Sequence, residues 1–192
     1  MKANIHLAPQ VGRVLVAEPF LLDNYYKRAV ILIGNYDDEN GTIGFIVNKP
    51  TDLSINDALI DFPEFDAPVY FGGPKKTEEI HYMHTLGNKI EGAKKIAPGI
   101  FWGGNLEILK LMIETKQVQQ HQVRFFAGFS GWKRADLDRE IKNNQWLIPD
   151  TKLQIKDLTF AMDPENIWGR VLKSVDCEYA TLANFPEDPS PN

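Results

Sequence analysis

Ser130 lies in FFAGFSGW, residues 125–132, where a hydroxyl follows an apolar run and sits among glycines. A serine on a sharp strand-to-helix turn is the geometry of a nucleophile elbow, whose pattern is G-x-S-x-G. Gly128 stands at the required distance, but Gly131 comes one residue early. A hydroxyl ahead of a helix also accepts a hydrogen bond from a helical N–H. Cap or turn formation is the stronger reading of Ser130, and no catalytic residue is assigned.

Other chemistry is sparse. The histidines are His6, His81, His84 and His121, with no H-E-x-x-H pattern. His81 and His84 are three apart on a predicted strand, so they point to opposite faces and do not chelate one metal together. No metal site and no cofactor are expected. There is no P-loop and no G-x-G-x-x-G after a strand. Gly72-Gly73-Pro74 offers backbone N–H groups to an anion, although Pro74 removes one donor and a plain turn is the competing reading. Cys177 is the lone cysteine, so no internal disulfide forms. It reads as a buried or half-buried free thiol.

Near predicted strand ends stand Asp23, Arg28, Lys49 and Asp136, with Asn48, His84 and Ser130. Together they would make a cleft with both signs of charge and a proton carrier. Apart they are turn and cap residues. Spacing leaves both readings open.

The elements that must position these residues follow from pattern. Short β-branched runs at 12–17 and 29–33 predict strands, the second apolar on both faces. YDDENG at 36–41, with Asn40-Gly41, predicts a hairpin into a strand over 42–48. Gly44 inside that strand signals a bulge or a close backbone approach. Further strands are predicted at 69–71, 79–86, 94–102 (broken at Pro98-Gly99) and 123–129. Helices are predicted at 54–61, with Ser54 and Asp57 as a capping box, at 105–115 and at 133–143. One more starts at Asp163-Pro164, with Ile167, Trp168, Val171, Leu172 and Val175 on one face. Trp146-Leu147 is expected to fold back into the core. Hairpin strands followed by mixed strands and helices predict an α+β fold. Its sheet is mixed and largely antiparallel, or an open barrel, with helices packed around it.

Hydrophobic residues make up 43% of 192, enough for one core. Residues 1–185 are expected to form a single domain, and the polar, Pro-rich tail 186–192 to be disordered. Lys plus Arg total 21 against 26 Asp plus Glu, a net charge of −5. The densest basic points are pairs, Lys75-Lys76, Lys94-Lys95 and Lys133-Arg134, which read as solvated surface. That balance argues against nucleic acid as a partner. The N-terminus lacks the continuous apolar core of a signal peptide, and no stretch approaches 18 apolar residues. No membrane association and a cytoplasmic location are expected.

Taken in order, the motifs D-x-x-Y-x-R-A-V (23–30), G-T-I-G-F-I-V-N-K-P (41–50) and V-Y-F-G-G-P (69–74) resemble the bacterial YqgE/AlgH family. The His84 strand, G-F-S-G-W (128–132), L-D-x-E-I-x-x-N-x-W-L (137–147) and the late Trp168 and Arg170 extend the likeness over residues 12–176. The resemblance implies a compact α+β domain of the bacterial cytosol, in a family without an established enzymatic activity and with one member linked to regulation of alginate production. Its motif residues here would be Asn48, Lys49, Pro50, Gly72, Gly73, Pro74, His84, Gly128, Gly131 and Trp132. Ala135-Asp136-Leu137-Asp138 departs from the family's usual Gly-Gln-Leu-Glu run, and Phe101–Asn105 from its serine-rich helix entry.

Three functions follow as expectations. The first is a binding or regulatory protein with a protein partner or a small ligand, acting through the motif residues together with Asp23, Arg28 and Ser130. The second is a small-ligand binder or an enzyme using a cleft near Asn48, Gly72-Gly73 and Ser130. The third is transcriptional regulation by direct DNA contact, which the mixed charges of 133–143 argue against.

Overall fold

The computed structural model describes residues 7–37, 39, 41–175 and 177–185. Pro186–Asn192 and His6, which figured in the sequence reading, lie outside them, as does the side chain of Cys177.

Strands β1 (Val14–Ala17), β2 (Val30–Asp37) and β3 (Gly41–Ile46) form an antiparallel meander. Successive side chains point to opposite faces. Val14, Val16, Val30 and Leu32 enter one apolar cluster, and Leu15, Ala17, Ile31 and Ile33 enter another. Both faces are covered, so these strands read as continuous apolar runs. The expected hairpin joins β2 to β3, with Asp37 opposite Gly41. The register slips between Ile33 and Asn35, opposite Gly44, as the glycine implied.

The central strand is β9 (Val123–Trp132). Its first half pairs in parallel with β5 (Pro68–Phe71), and its last residues pair antiparallel with β3. Along its other edge runs β6 (Lys75–His84). The sheet continues through β8 (Ile100–Trp102) to β7 (Lys94–Ala97), and on the far side through β1 to β10 (Trp146–Leu147). A short β4 (Pro50–Ser54) pairs with β5. The fold is α+β with an open, mixed, mainly antiparallel sheet.

Helices cover both faces. On one, α1 (Ile55–Ala58) begins with the expected Ser54–Asp57 capping box, and α2 (Leu106–Glu114) is capped by Asn105. Leu109, Met112 and Ile113 of α2 pack on Phe125 and Val69. Farther along, α3 (Arg134–Lys142) inserts Leu137 beside Trp132 and Trp146. On the opposite face lie α4 (Ile155–Phe160) and α5 (Pro164–Lys173). Ile167, Trp168, Val171 and Leu172 of α5 are buried against β1 and β2, as their spacing predicts. Asp163 caps α5 and Pro164 opens it. A last helix, α6 (Cys177–Leu182), lies along α5.

Three details depart from the sequence reading. Ser130 is not a helix cap. The β3 backbone pairs with residues 130–132, so β9 runs on through Trp132, and Lys133 precedes α3 without a side-chain cap. Strand β6 starts four residues before the expected 79, carrying exposed Lys75, Lys76, Thr77 and Glu78. Strand β4 and helices α4 and α6, all short, had no periodic signal.

Candidate functional site

Residues 18–29 connect β1 to β2, and the first family motif spans 23–30. The Asp23 carboxylate accepts from the backbone N–H of Tyr25 (2.8 Å) and Tyr26 (2.9 Å). That is an Asx turn, which folds the chain tightly on itself. Arg28 ends the turn at φ 54°, in the left-handed region that an L residue enters at a cost of about 1–2 kcal/mol.

Asn48 holds that conformation. Its Nδ2 donates to the Arg28 carbonyl and its Oδ1 accepts from the Val30 N–H, both at 2.8 Å. The carboxamide thus replaces a missing strand partner. Lys49 Nζ donates to the Tyr25 carbonyl at 2.9 Å. Pro50 then opens β4, opposite Tyr70.

The distant motifs reach the same turn. The Tyr26 ring stacks on Trp132 (centroids 5.9 Å apart) and meets Trp146 edge-on (5.3 Å). Both indoles donate to one Glu140 oxygen, from Trp132 at 2.8 Å and from Trp146 at 2.7 Å. Burial raises the Tyr26 pKa above the usual phenol value, with the Ser130 hydroxyl beside it opposing and Glu140 and Asp23 adding to the rise. Ser130 has no exposed surface and donates to the Gly72 carbonyl at 3.2 Å. Among the described residues no histidine or carboxylate is hydrogen-bonded to it, and its hydroxyl ties β9 to the Gly72 turn.

Gly72, Gly73 and Gly128 form a junction of backbone on backbone. A Cβ on Gly72 would collide with the Gly128 carbonyl oxygen, and one on Gly73 with the Phe129–Ser130 peptide. The Gly72 N–H is spent on the Ala127 carbonyl at 2.9 Å, so this segment is no open anion cradle. Pro74 turns the chain into β6, and Gly131 sits in β9 opposite Ile43.

His84 stands apart. It pairs with Val123, at the opposite end of β9 from Trp132 and about 30 Å away at about 3.3 Å per residue. It is fully buried, stacked on Phe101, with Nε2 at 3.1 Å from the Gly103 carbonyl and Nδ1 accepting from the Leu86 N–H at 3.2 Å. That set requires the neutral ring with its proton on Nε2. Burial lowers the His84 pKa, only partly opposed by the Gly103 carbonyl.

One concave surface remains beside the turn. A groove of about 810 Å³ runs between residues 27–28, residues 48–49 and the exposed edge of α5. Five cations, Lys27, Arg28, Lys49, Arg170 and Lys173, line it against one carboxylate, Glu165. The Arg28 guanidinium lies 4.8 Å over the Trp168 ring and donates to the Phe185 carbonyl. Trp168 is itself fixed by its indole N–H on the Ala17 carbonyl at 2.9 Å. Beside Asn48 in the chain, the Val47 carbonyl accepts from the buried Arg124 at 2.7 Å, and Arg124 stacks over Tyr70 at 4.1 Å. Burial lowers its pKa to about 10, and the Tyr70 charge opposes this.

Among the sequence-named residues, Arg28, Asn48, Lys49, Trp168 and Arg170 line this groove. Asp23, Ser130 and Trp132 brace the turn that forms its wall, while Gly72, Gly73, Pro74, Gly128 and Gly131 build the sheet behind, and His84 is elsewhere. Lys27, Glu140 and Lys173 were not singled out from sequence. Lys173 carried a readable signal: Asn166, Arg170 and Lys173 fall on one polar face of α5.

The AlgH-like family (DUF179) matches residues 14–180 of this chain. The chain belongs to that family. Among its relatives, a UPF0301 protein of Chlorobaculum tepidum is 38% identical over 94% of this chain and 95% of its own length. Another, from Chlorobaculum parvum, is 36% identical over 95% of this chain and 96% of its own. Two solved structures share the AlgH-like fold at low identity. A crystal structure from Corynebacterium diphtheriae has a TM-score of 0.73 at 21% identity, covering 94% of both chains. The solution structure of the AlgH protein of Pseudomonas aeruginosa has a TM-score of 0.69 at 18%, covering 94% of this chain and 97% of that one. Among the described residues no helix is long and apolar enough to cross a membrane.

Proposed function

We propose that this protein is a binding or regulatory module of the bacterial cytosol, acting without catalysis through the groove between the 23–30 turn and α5. One observation carries the reading. Asn48, Lys49, Ser130, Trp132 and Trp168, drawn from three separate motifs, all make contact with residues 25–30. The motif side chains with reactive potential are spent inside the fold, and their shared effect is to hold one turn, including a left-handed Arg28, at the wall of a cationic groove. A backbone held in a sparsely populated conformation by several partners is a mark of a functional surface. The lone cysteine, which makes no internal disulfide, supports the cytosolic part of the reading. Residues 1–185 act as one domain in this reading, since a single sheet joins strands from both halves of the chain.

The test is amide chemical-shift mapping of the labelled full-length protein against a panel of cellular small molecules and short peptides. The reading expects shifts concentrated at 25–28, 48–50 and 165–173 for at least one ligand, and their loss in Lys49→Ala. Shifts gathered elsewhere, around His84 for example, or a turnover that Ser130→Ala abolishes, would overturn it.

A further inference from the structure

Arg124 breaks the pattern of its strand. In β9, Val123 and Phe125 enter the apolar cluster under α2, and Phe126 enters the cluster on the opposite face with Tyr70 and Phe160. Alternation puts residue 124 on the same face as Phe126, where an apolar side chain would complete the cluster. The sequence instead places a cation there, and it is only 8% exposed.

The fold does not answer that charge. Among the described residues Arg124 makes one hydrogen bond, to the Val47 carbonyl, and no ion pair. The Tyr70 ring offers its π face at 4.1 Å, which offsets part of the charge. Even with its pKa lowered to about 10 by burial, the guanidinium stays protonated at neutral pH. Water can accept from its remaining N–H donors but does not neutralise it, and a buried cation without a counter-charge is costly to hold.

The guanidinium borders a small cavity. Arg124, Tyr70 and Phe160 line a space of about 80 Å³, with the exposed Asp66, Gln120 and His121 at its rim. At about 30 Å³ per water that is the bulk of about two to three waters, which matches a carboxylate group. One guanidinium balances one negative charge, and its paired N–H donors match the two oxygens of a carboxylate. Asp66 at the rim repels a second negative charge, which disfavours orthophosphate. The three rim residues also line a wider hollow of about 600 Å³, so a larger molecule bearing the carboxylate has room outside.

We infer that Arg124 binds the carboxylate of a small monoanionic molecule, at a site separate from the groove. The carboxylate lies against the guanidinium, and the rest of the molecule leads past Gln120 and His121 into the wider hollow.

The experiment titrates the labelled full-length protein at pH 7 with sodium acetate, replacing chloride at constant ionic strength, beside acetamide and orthophosphate. Backbone amides and the Arg124 Nε–H are followed. The expected result is a saturable acetate shift of Arg124 Nε–H and of amides at 66–70 and 120–124. Groove amides at 25–28 and 165–173 should stay still, so this site and the groove reading stand or fall separately. Acetamide, which has the shape without the charge, and orthophosphate should bind at least about tenfold more weakly. Arg124→Met should lose the acetate shifts. Should that variant fail to fold, Asp66→Asn on the exposed rim decides, and orthophosphate should gain at least about threefold on acetate. Absence of a saturable acetate shift, acetamide or orthophosphate binding as tightly, full binding in Arg124→Met, or no gain in Asp66→Asn would each overturn the assignment.

Discussion

The Asn48 carboxamide lies across the backbone of Arg28, donating to its carbonyl and accepting from Val30 two residues on. One side chain thereby satisfies a donor and an acceptor at the point where β2 begins, and pins Arg28 at φ 54°. Asn48→Asp keeps the acceptor for Val30 but sets a carboxylate against the Arg28 carbonyl. The variant should lose about 2 kcal/mol at neutral pH. Part of that should return as pH falls below the carboxylate range, because the protonated acid donates again. Urea unfolding at pH 7 and pH 4, corrected for the parent protein, checks it.

Glu140 accepts two indole N–H bonds through one oxygen. Removing it orphans both donors beside Tyr26. Glu140→Ala should cost about 2–4 kcal/mol, and Glu140→Gln about 1 kcal/mol, since an amide oxygen still accepts but without charge. Tryptophan emission, recorded through the unfolding transition, reports both the stability and the altered surroundings of Trp132 and Trp146.

Burial lowers the pKa of His81 and of His84, the first in a ring of Phe45, Trp102 and Phe129. At His81, Glu79 opposes the shift and Lys76 adds to it; at His84, the Gly103 carbonyl opposes it. Below about pH 6.5 the unfolded chain takes up protons that the folded one refuses. Stability is therefore full above that value and declines as pH falls toward the lowered folded pKa values. Among the described residues, His81 Nε2 is buried without a hydrogen-bond partner. His81→Phe should flatten part of the decline between pH 7 and 5 and leave the pH 7 stability unchanged or higher. Melting curves across that window measure both effects.

The glycines of the sheet junction differ in what a methyl would strike. At Gly72 it meets the Gly128 carbonyl, which is fixed backbone. At Gly131 the nearest atoms are a Phe129 ring carbon at 3.0 Å and the Lys75 side chain at 3.1 Å. Gly72→Ala should cost more than about 4 kcal/mol or prevent folding, and Gly131→Ala less than about 1.5 kcal/mol. Chemical denaturation of the pair orders them.

Much of this fold is local in origin and so could be read from sequence. The runs around Val16 and Ile31 are strands because both faces are buried, and Ser54, Asn105 and Asp163 cap the helices they precede. The site was only half legible. Arg28, Asn48 and Lys49 stood out as polar residues in turn-rich motifs. Lys27 and Lys173 did not, because the groove draws its cations from segments more than a hundred residues apart and each looks ordinary in its own stretch. Ser130 was misread for a related reason. Gly128 and Gly131 mark a corner in isolation, but β3 pairs along residues 130–132 and keeps the chain extended. Strand β6 hid its first residues because Lys75–Glu78 face solvent and show no apolar alternation.

The place of β9 has a consequence for how the chain acquires its shape. Thr42 pairs with Trp132, some ninety positions later, and Phe71 with Ala127. Until residue 132 has been synthesised, β3, β5 and β6 all lack the neighbour that joins them. A ribosome-bound chain of this protein would carry several unpaired strand edges for most of its elongation, and pairing across such separations is slow. Once β9 arrives, both halves close on it together. Assembly of the whole sheet is consequently late: a chain interrupted before Val123 holds the β1–β2–β3 meander and the β6–β8–β7 strands but has nothing to join them.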